Sequence, residues 1–539
     1  MLSLMWACAG RWDRLKMKSD FMKRMFPGGG VALACLTMSH GRELTGHSVL
    51  LQPIVLTDDE GKGAAKVNLP EELIDRPFRR WDLDFHILEP IHWPREKFRD
   101  GGVDVDVIVK TATEERVFRE PGRIANVFFA KKINGKAAPN GLGQQPGWVT
   151  FIAQGEDPPV GQDAFVVVHE VSHNLGLAHT VDDGEVAADI PNVMGDGEFL
   201  DRIREDGITR HQAATMLKSP LVRETVRCLR GEEARRAYLD ENFEQYYSRL
   251  NRREVEAMTG RALPEGLAGK ALEKEARKRF SEAVVDFTPE EREVVRWMVG
   301  EYRKSLVKEF PLLANQPWQV IKVKRDHCAG FCHTRGLSVV MSESVLGRMM
   351  KDVQKHGRTP EALLGAGSIL VHEQIHVLQR CFPRKFAGLY TEVYGLIEGT
   401  IVRDDWVEKN EIQNPDGMAG NRWVVSNEGK FYWLKTTLSE NDEPAKMPGS
   451  FQEAVLPLVK EGGVYRTVRA EGAKTPNVID PAVLSDWKKQ FPIRVGHDHP
   501  NEIFAYLFQA VLVRALAGEE PSDDAMTRKT MAWSRRELE

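Results

Sequence analysis

Residues 169–179 read His169-Glu170-Val171-Ser172-His173-Asn174-Leu175-Gly176-Leu177-Ala178-His179, and this run leaves the chain little freedom. On a helix, positions i and i+4 share one face, so His169 and His173 aim their rings at one point, with Glu170 facing the same cleft. Gly176 can take the left-handed conformation that ends a helix and turns the chain, which brings His179 back to that point. Three neutral imidazoles suit Zn2+ and leave a fourth position for water. Glu170 is placed to take a proton from that water and pass it to a leaving amine, the chemistry of metal-assisted peptide hydrolysis.

The run resembles the metzincin metallopeptidases, whose HExxHxxGxxH signature is matched at every fixed position by His169, Glu170, His173, Gly176 and His179. The resemblance implies a methionine in a tight turn beneath the zinc. It assigns Met194, fifteen residues after His179, with Asn192 and Gly195 supplying the turn chemistry. Asp196 stands where some metzincins carry a tyrosine as a fifth ligand, which argues for the three-histidine, one-water form. In metzincins the edge strand binds substrate. That role is assigned to 148–153 (WVTFIA), with Trp148, Val149, Thr150 and Phe151 meeting an extended peptide added as an antiparallel strand.

The flanks read as a sheet leading to this helix. Segments 51–56, 103–109 (VDVDVIV, strictly alternating), 124–130 and 148–153 are β-branched or aromatic runs, a helix starts near Gln162, and 211–217 is the closing helix.

A second His-Glu-x-x-His run occupies 372–376, within an apolar stretch of helical period at 362–380. His372, Glu373 and His376 share one face, with Glu373 as the base, but no third histidine follows at the earlier spacing. The other large class of HExxH enzymes, the gluzincins, takes a glutamate from a later helix. Glu392 and Glu398 lie 16 and 22 residues after His376, and Glu502 sits in His499-Pro500-Asn501-Glu502-Ile503. Glu502 is favoured, because proline opens a helix on which Glu502, Ala505, Tyr506 and Gln509 share a face. The segment also resembles an HPxEI element that accompanies HExxH in zincin-like proteins. Asp498 is read either as orienting a ligand or as a loop residue. Segments 318–323 and 336–342 read as strands before the motif helix, and 290–306 as an amphipathic helix.

These readings combine into an α+β chain of two zincin-like metalloprotease domains, each a mixed twisted sheet with an active-site helix. The expected organisation is an N-terminal segment at 1–43, a metzincin-like domain at 44–225, a charged helical connector at 226–279, a second zincin-like domain at 280–520 and a charged tail at 521–539. Within the second domain, 406–475 reads as an insertion whose aromatics form a small core of their own. Two Zn2+ per chain and a protein or peptide substrate follow. The C-terminal half either cleaves as well or serves as a non-catalytic module that binds substrate or partner.

A net charge of −5 with 28% charged residues predicts no general affinity for nucleic acid or anionic membrane, and no segment has the length and apolarity of a membrane span. Six cysteines are too few for a disulfide scaffold. Cys328, Cys332 and Cys381 read either as a local disulfide or metal clip or as reduced thiols. From Met22, Lys23-Arg24 followed by 31–36 resembles a bacterial export signal with Cys35 as a lipid-attachment site, which favours a secreted or envelope location over a cytoplasmic one.

Overall fold

The computed structural model describes residues 44–65, 67–101, 104–133, 136–137, 141–153, 162–184, 191–195, 204–417, 422–439, 445–520 and 522–539. The export-signal segment and Asp196 lie outside them. The chain forms two compact units, Glu43–Val226 with Asn315–Pro317, and Arg227–Ala314 with Trp318–Glu539. Both combine helices with mixed sheets, an α+β architecture.

In the N-terminal unit, parallel strands lie in the order Leu83–Ile87, His47–Thr57, Ala125–Ala130, Val149–Ala153, and Gly141–Gly143 is added antiparallel at the end. A parallel sheet needs cover on both faces, and alternation along each strand provides it. Val127 and Phe129 join a core with Phe165, Val168 and Val171 of the motif helix Gln162–Asn174 and with Leu175 just after it. Phe128 points the other way, into a core with Trp93, Phe98, Ile108, Phe118 and Phe151.

Two expectations are corrected here. The stretch 103–109 is not a strand; its described residues begin a helix, Val105–Glu114. Asp104 caps it by accepting from the Asp106 N–H, and Ile108 and Ala112, one turn apart, form its buried side. A cap and an i,i+4 apolar pair outweigh alternating valines. Nor is 148–153 an edge. Thr150, Phe151 and Ile152 pair with Gly143, Leu142 and Gly141, so the edge strand is Gly141–Gly143. Its two glycines carry no β-propensity and give no strand signal.

In the C-terminal unit, Trp318–Val323 and Ser338–Ser342 run parallel, with His333–Arg335 antiparallel to the latter. The stretch 362–380 is not one helix: a break at 364–368 separates Pro360–Leu363 from the second motif helix, Ile369–Cys381. That helix packs against His333–Arg335, Ser338–Ser342 and the helix Pro500–Leu516.

The segment 226–279 is no connector. Its helices Gly231–Tyr238, Arg252–Thr259 and Gly269–Ala283 bury Tyr238, Met258 and Phe280 against Ile321, Val323 and Val340 of the sheet. The end of the chain is no tail either: in the helix Ala525–Glu537, the Trp533 ring lies 5.1 Å from Phe386 and 5.8 Å from Phe504. Dense charge on the outer faces masks the few large side chains that anchor both segments. Strands Ile397–Glu398, Trp423–Asn427, Lys430–Leu438, Phe451–Glu461 and Val464–Thr467 form an antiparallel sheet around Val424, Trp433 and Leu456.

Cys228, Cys328, Cys332 and Cys381 are free thiols, so there is no disulfide among the described cysteines. None of these thiols joins a group of three or more metal-ligating side chains among the described residues. His327 Nε2 and His333 Nε2 lie 2.8 and 3.0 Å from the Tyr238 hydroxyl, which occupies both. No helix among the described residues is long and apolar enough to cross a membrane.

Candidate metal centres

The first centre is built on the end of a helix. Gln162–Asn174 closes with the Gly176 N–H donating to the His173 carbonyl and the Leu177 N–H to that of Ser172, with Gly176 at φ +97°. This is the Schellman arrangement, which glycine alone adopts at low cost. The chain reverses there, and His179 Nε2 comes to 3.3 Å from His169 Nε2 and 3.2 Å from His173 Nε2.

The opposite ring nitrogens are held by carbonyls. His169 Nδ1 lies 2.8 Å from the Val193 oxygen, and His173 Nδ1 lies 2.8 Å from the Leu177 oxygen. Both must donate, so both Nε2 atoms present lone pairs to the common point. His179 can offer one Nε2 proton to one of them at most. A cation satisfies all three lone pairs at once, and burial, which lowers the His173 pKa, keeps that ligand neutral. The donor set fits Zn2+.

Met194 lies in the turn beside this centre. The Gly195 N–H donates to the Asn192 carbonyl and the Met194 N–H to Asn192 Oδ1. Asn192 is fixed in turn by Gln212 of the helix Arg210–Met216. The Met194 side chain is buried in the core that holds Val168 and Val171.

Glu170 is buried, and burial raises its carboxyl pKa to about 7 against the lowering effect of a hydrogen bond from the Gly143 N–H. The edge strand therefore touches the base directly. A Cβ on Gly141 would stand 2.4 Å from Glu170 Oε1, and one on Gly143 would stand 2.2 Å from the Glu170 carbonyl oxygen. The residues expected to meet substrate do other work. Val149 and Phe151 are buried in the core on the sheet's far face, and Trp148 packs 4.6 Å from Phe118. The Thr150 hydroxyl donates to Asn174 Oδ1. Asn174 also donates to the carbonyls of Gln144 and Val149, which joins the helix end to the edge strand's return loop.

The second centre joins two helices. His372 Nε2 and His376 Nε2 are 3.1 Å apart, and Glu502 Oε2 lies 3.3 and 3.6 Å from them. Glu502 stands in the first turn of Pro500–Leu516, where His499 Nδ1 caps the helix by accepting from the Asn501 N–H. Of the other two glutamates, Glu392 ends the helix Pro383–Glu392 and Glu398 pairs with Arg422. Asp498 accepts from the Thr436 hydroxyl.

His376 Nδ1 is held 2.8 Å from Gln379 Oε1, and Gln379 donates onward to the Asn501 carbonyl. Burial works to lower the His376 pKa, but the Glu502 charge and hydrogen bond, then Asp416 and Glu373, raise it to about 10. An imidazolium thus stands where the donors of His372, His376 and Glu502 would share a cation. Glu373 is held well above the ordinary carboxylate range, first by burial and then by the neighbouring Asp416.

Sequence reasoning passed over Asn174, Gly143, Gln379, Asn414 and Asp416. Asn414 donates to Glu502 Oε1, and Asp416 lies beside Glu373 and His376. The only signal for these last two was the Asn414-Pro415-Asp416-Gly417 turn, which says where a chain bends and not what it meets.

No protein-family model matches the chain, and no curated protein matches it.

Proposed function

We propose that this chain is a zinc-dependent peptidase of metzincin-like type, cleaving at the centre formed by His169, His173 and His179. The convergence of three ring nitrogens, two of them turned inward by carbonyls on the far side of the ring, carries the reading. A divalent cation held there would polarise the scissile carbonyl and acidify a water. The remaining work falls to the chain. Glu170 accepts the proton of the attacking water and returns it to the leaving amine, and the Gly143 N–H holds its carboxylate in place. The open edge of Gly141–Gly143 offers main-chain groups to an extended peptide next to that base. Side chains at 141 and 143 would collide with Glu170, so glycine keeps base and edge together.

The centre in the C-terminal unit is enclosed. The side chains of His372 and His376 are 4% and 0% exposed, whereas that of His179 is 50% exposed. That contrast favours the reading in which the C-terminal unit holds its own Zn2+ without cleaving protein chains and serves to bind substrate or partner. Glu170→Gln is expected to keep the first metal and abolish cleavage of a denatured protein, while Glu373→Gln leaves cleavage intact. Cleavage retained in Glu170→Gln/Glu373→Gln would refute the peptidase reading at both centres.

A further inference from the structure

Two overlapping donor sets meet in the C-terminal unit. His372, His376 and Glu502 form one; Glu373, His376 and Asp416 form the other, each with its donor atoms within 4.8 Å of one another. They share His376, whose Nδ1 is taken by Gln379, so one ring nitrogen serves both sets and they surround one cation rather than two.

Asp416 is held there by design of the surrounding bonds. Its Oδ1 accepts from the Thr334 N–H at 2.6 Å and the Thr334 hydroxyl at 2.7 Å, and its own N–H donates to Asn414 Oδ1. Asn501 donates to its carbonyl, and Arg380 to that of Pro415. Arg380 is itself paired with Glu244. Oδ1 therefore accepts from neutral donors alone, and the positive groups facing the carboxylate are His376 and Arg380. Glu373 Oε2 is also buried without a hydrogen-bond partner, and Glu373 is only 3% exposed. Glu373, Asp416 and Glu502 thus converge with two histidine rings on one enclosed space, a set of oxygen and nitrogen donors that suits a divalent cation.

We infer that Asp416 belongs to the metal-holding set of the second centre, its carboxylate strengthening the site for a divalent cation beyond what His372, His376 and Glu502 provide. The turn at 414–417 acts as one piece: Asn414 fixes the third ligand, Glu502, and Asp416 adds charge on the side of Glu373. This rests on the reading of a metal site at His372, His376 and Glu502.

The test is Zn2+ competition between full-length His173→Ala protein, which isolates the second centre, and a chromophoric chelator. Asp416→Asn keeps the shape and the Thr334 bonds and is expected to weaken binding by about ten- to a hundredfold. Thr334→Val, which removes one of the two donors, is expected to weaken it less. Affinity of Asp416→Asn within twofold of its parent would overturn the inference while leaving the metal site standing. A parent that binds no Zn2+ would overturn both. Thermal unfolding in excess chelator separates a structural role. Asp416→Asn should melt close to its parent there, because the bonds to Thr334 and Asn414 persist, and a markedly lower melting point would overturn the assignment.

Discussion

In metal-free protein, Glu170→Gln should stabilise the N-terminal unit, and by an amount that depends on pH. Burial raises the Glu170 pKa from 4.5 to about 7. The folded state thus holds the proton more tightly than the unfolded chain, so stability is full below pH 4.5 and is lost as pH rises through about 7. Each factor of ten in proton affinity is about 1.4 kcal/mol, so the carboxylate costs the fold about 1 kcal/mol at pH 5 and about 3 kcal/mol at pH 8.5. Glutamine carries no charge to desolvate and can still accept from the Gly143 N–H. The advantage of the variant should therefore widen by about 2 kcal/mol between these pH values. Urea titration in excess chelator, read by hydrogen exchange in peptides covering 125–130 and 164–174, reports this unit alone. An advantage that stays flat with pH, or a variant less stable than the parent at pH 8.5, would refute the assignment of a burial-strained base.

Asn174→Ala should lower stability by about 1–3 kcal/mol, because it takes the partner from the buried Thr150 hydroxyl and from the Gln144 carbonyl and removes one of two donors to the Val149 carbonyl; calorimetry reads the change. Gly143→Ala should abolish peptide cleavage while Zn2+ content stays at the parental value, since its Cβ would meet the Glu170 carbonyl at 2.2 Å and push the edge strand away. At the second centre, His376 carries a proton up to a pKa of about 10 in the metal-free state, under the opposing effects of burial and the Glu502 charge. Zn2+ affinity there should rise with pH through the neutral range. Calorimetric titration of His173→Ala in buffers of different ionisation enthalpy at pH 8 should show a proton released by that histidine, and uptake independent of buffer would contradict it.

The first centre was legible because its geometry is local. His169, His173 and Gly176 are related by helix pitch and a left-handed cap, so eleven letters determine where the nitrogens go. The strands at 124–130 and 318–323 were legible for a similar reason, being short β-branched runs bounded by turn residues. What escaped notice depends on contacts between distant segments. Nothing near Asp416 announces that its turn will meet Thr334, Arg380 and Asn501. The edge strand escaped because two of its three residues are glycine, and its pairing is dictated by the return loop tied to Asn174. At 103–109 the misleading signal was composition, since alternating valines fit either period until the cap at Asp104 decides.

The spacing of ligands along the chain separates the two centres in a way their geometry does not. His169 and His179 are ten residues apart, whereas 130 separate His372 from Glu502. A metal bound at the first centre ties a small loop whose ends are already neighbours on one helix and its cap. A metal bound at the second closes a ring that includes the antiparallel sheet, which makes it a cross-link of the kind a disulfide provides. Because closure entropy grows with the logarithm of loop length, this difference amounts to about 2 kcal/mol in favour of the longer ring. With zinc at both centres, as proposed, its removal would silence the first unit while leaving it folded, and would loosen the second as a structure.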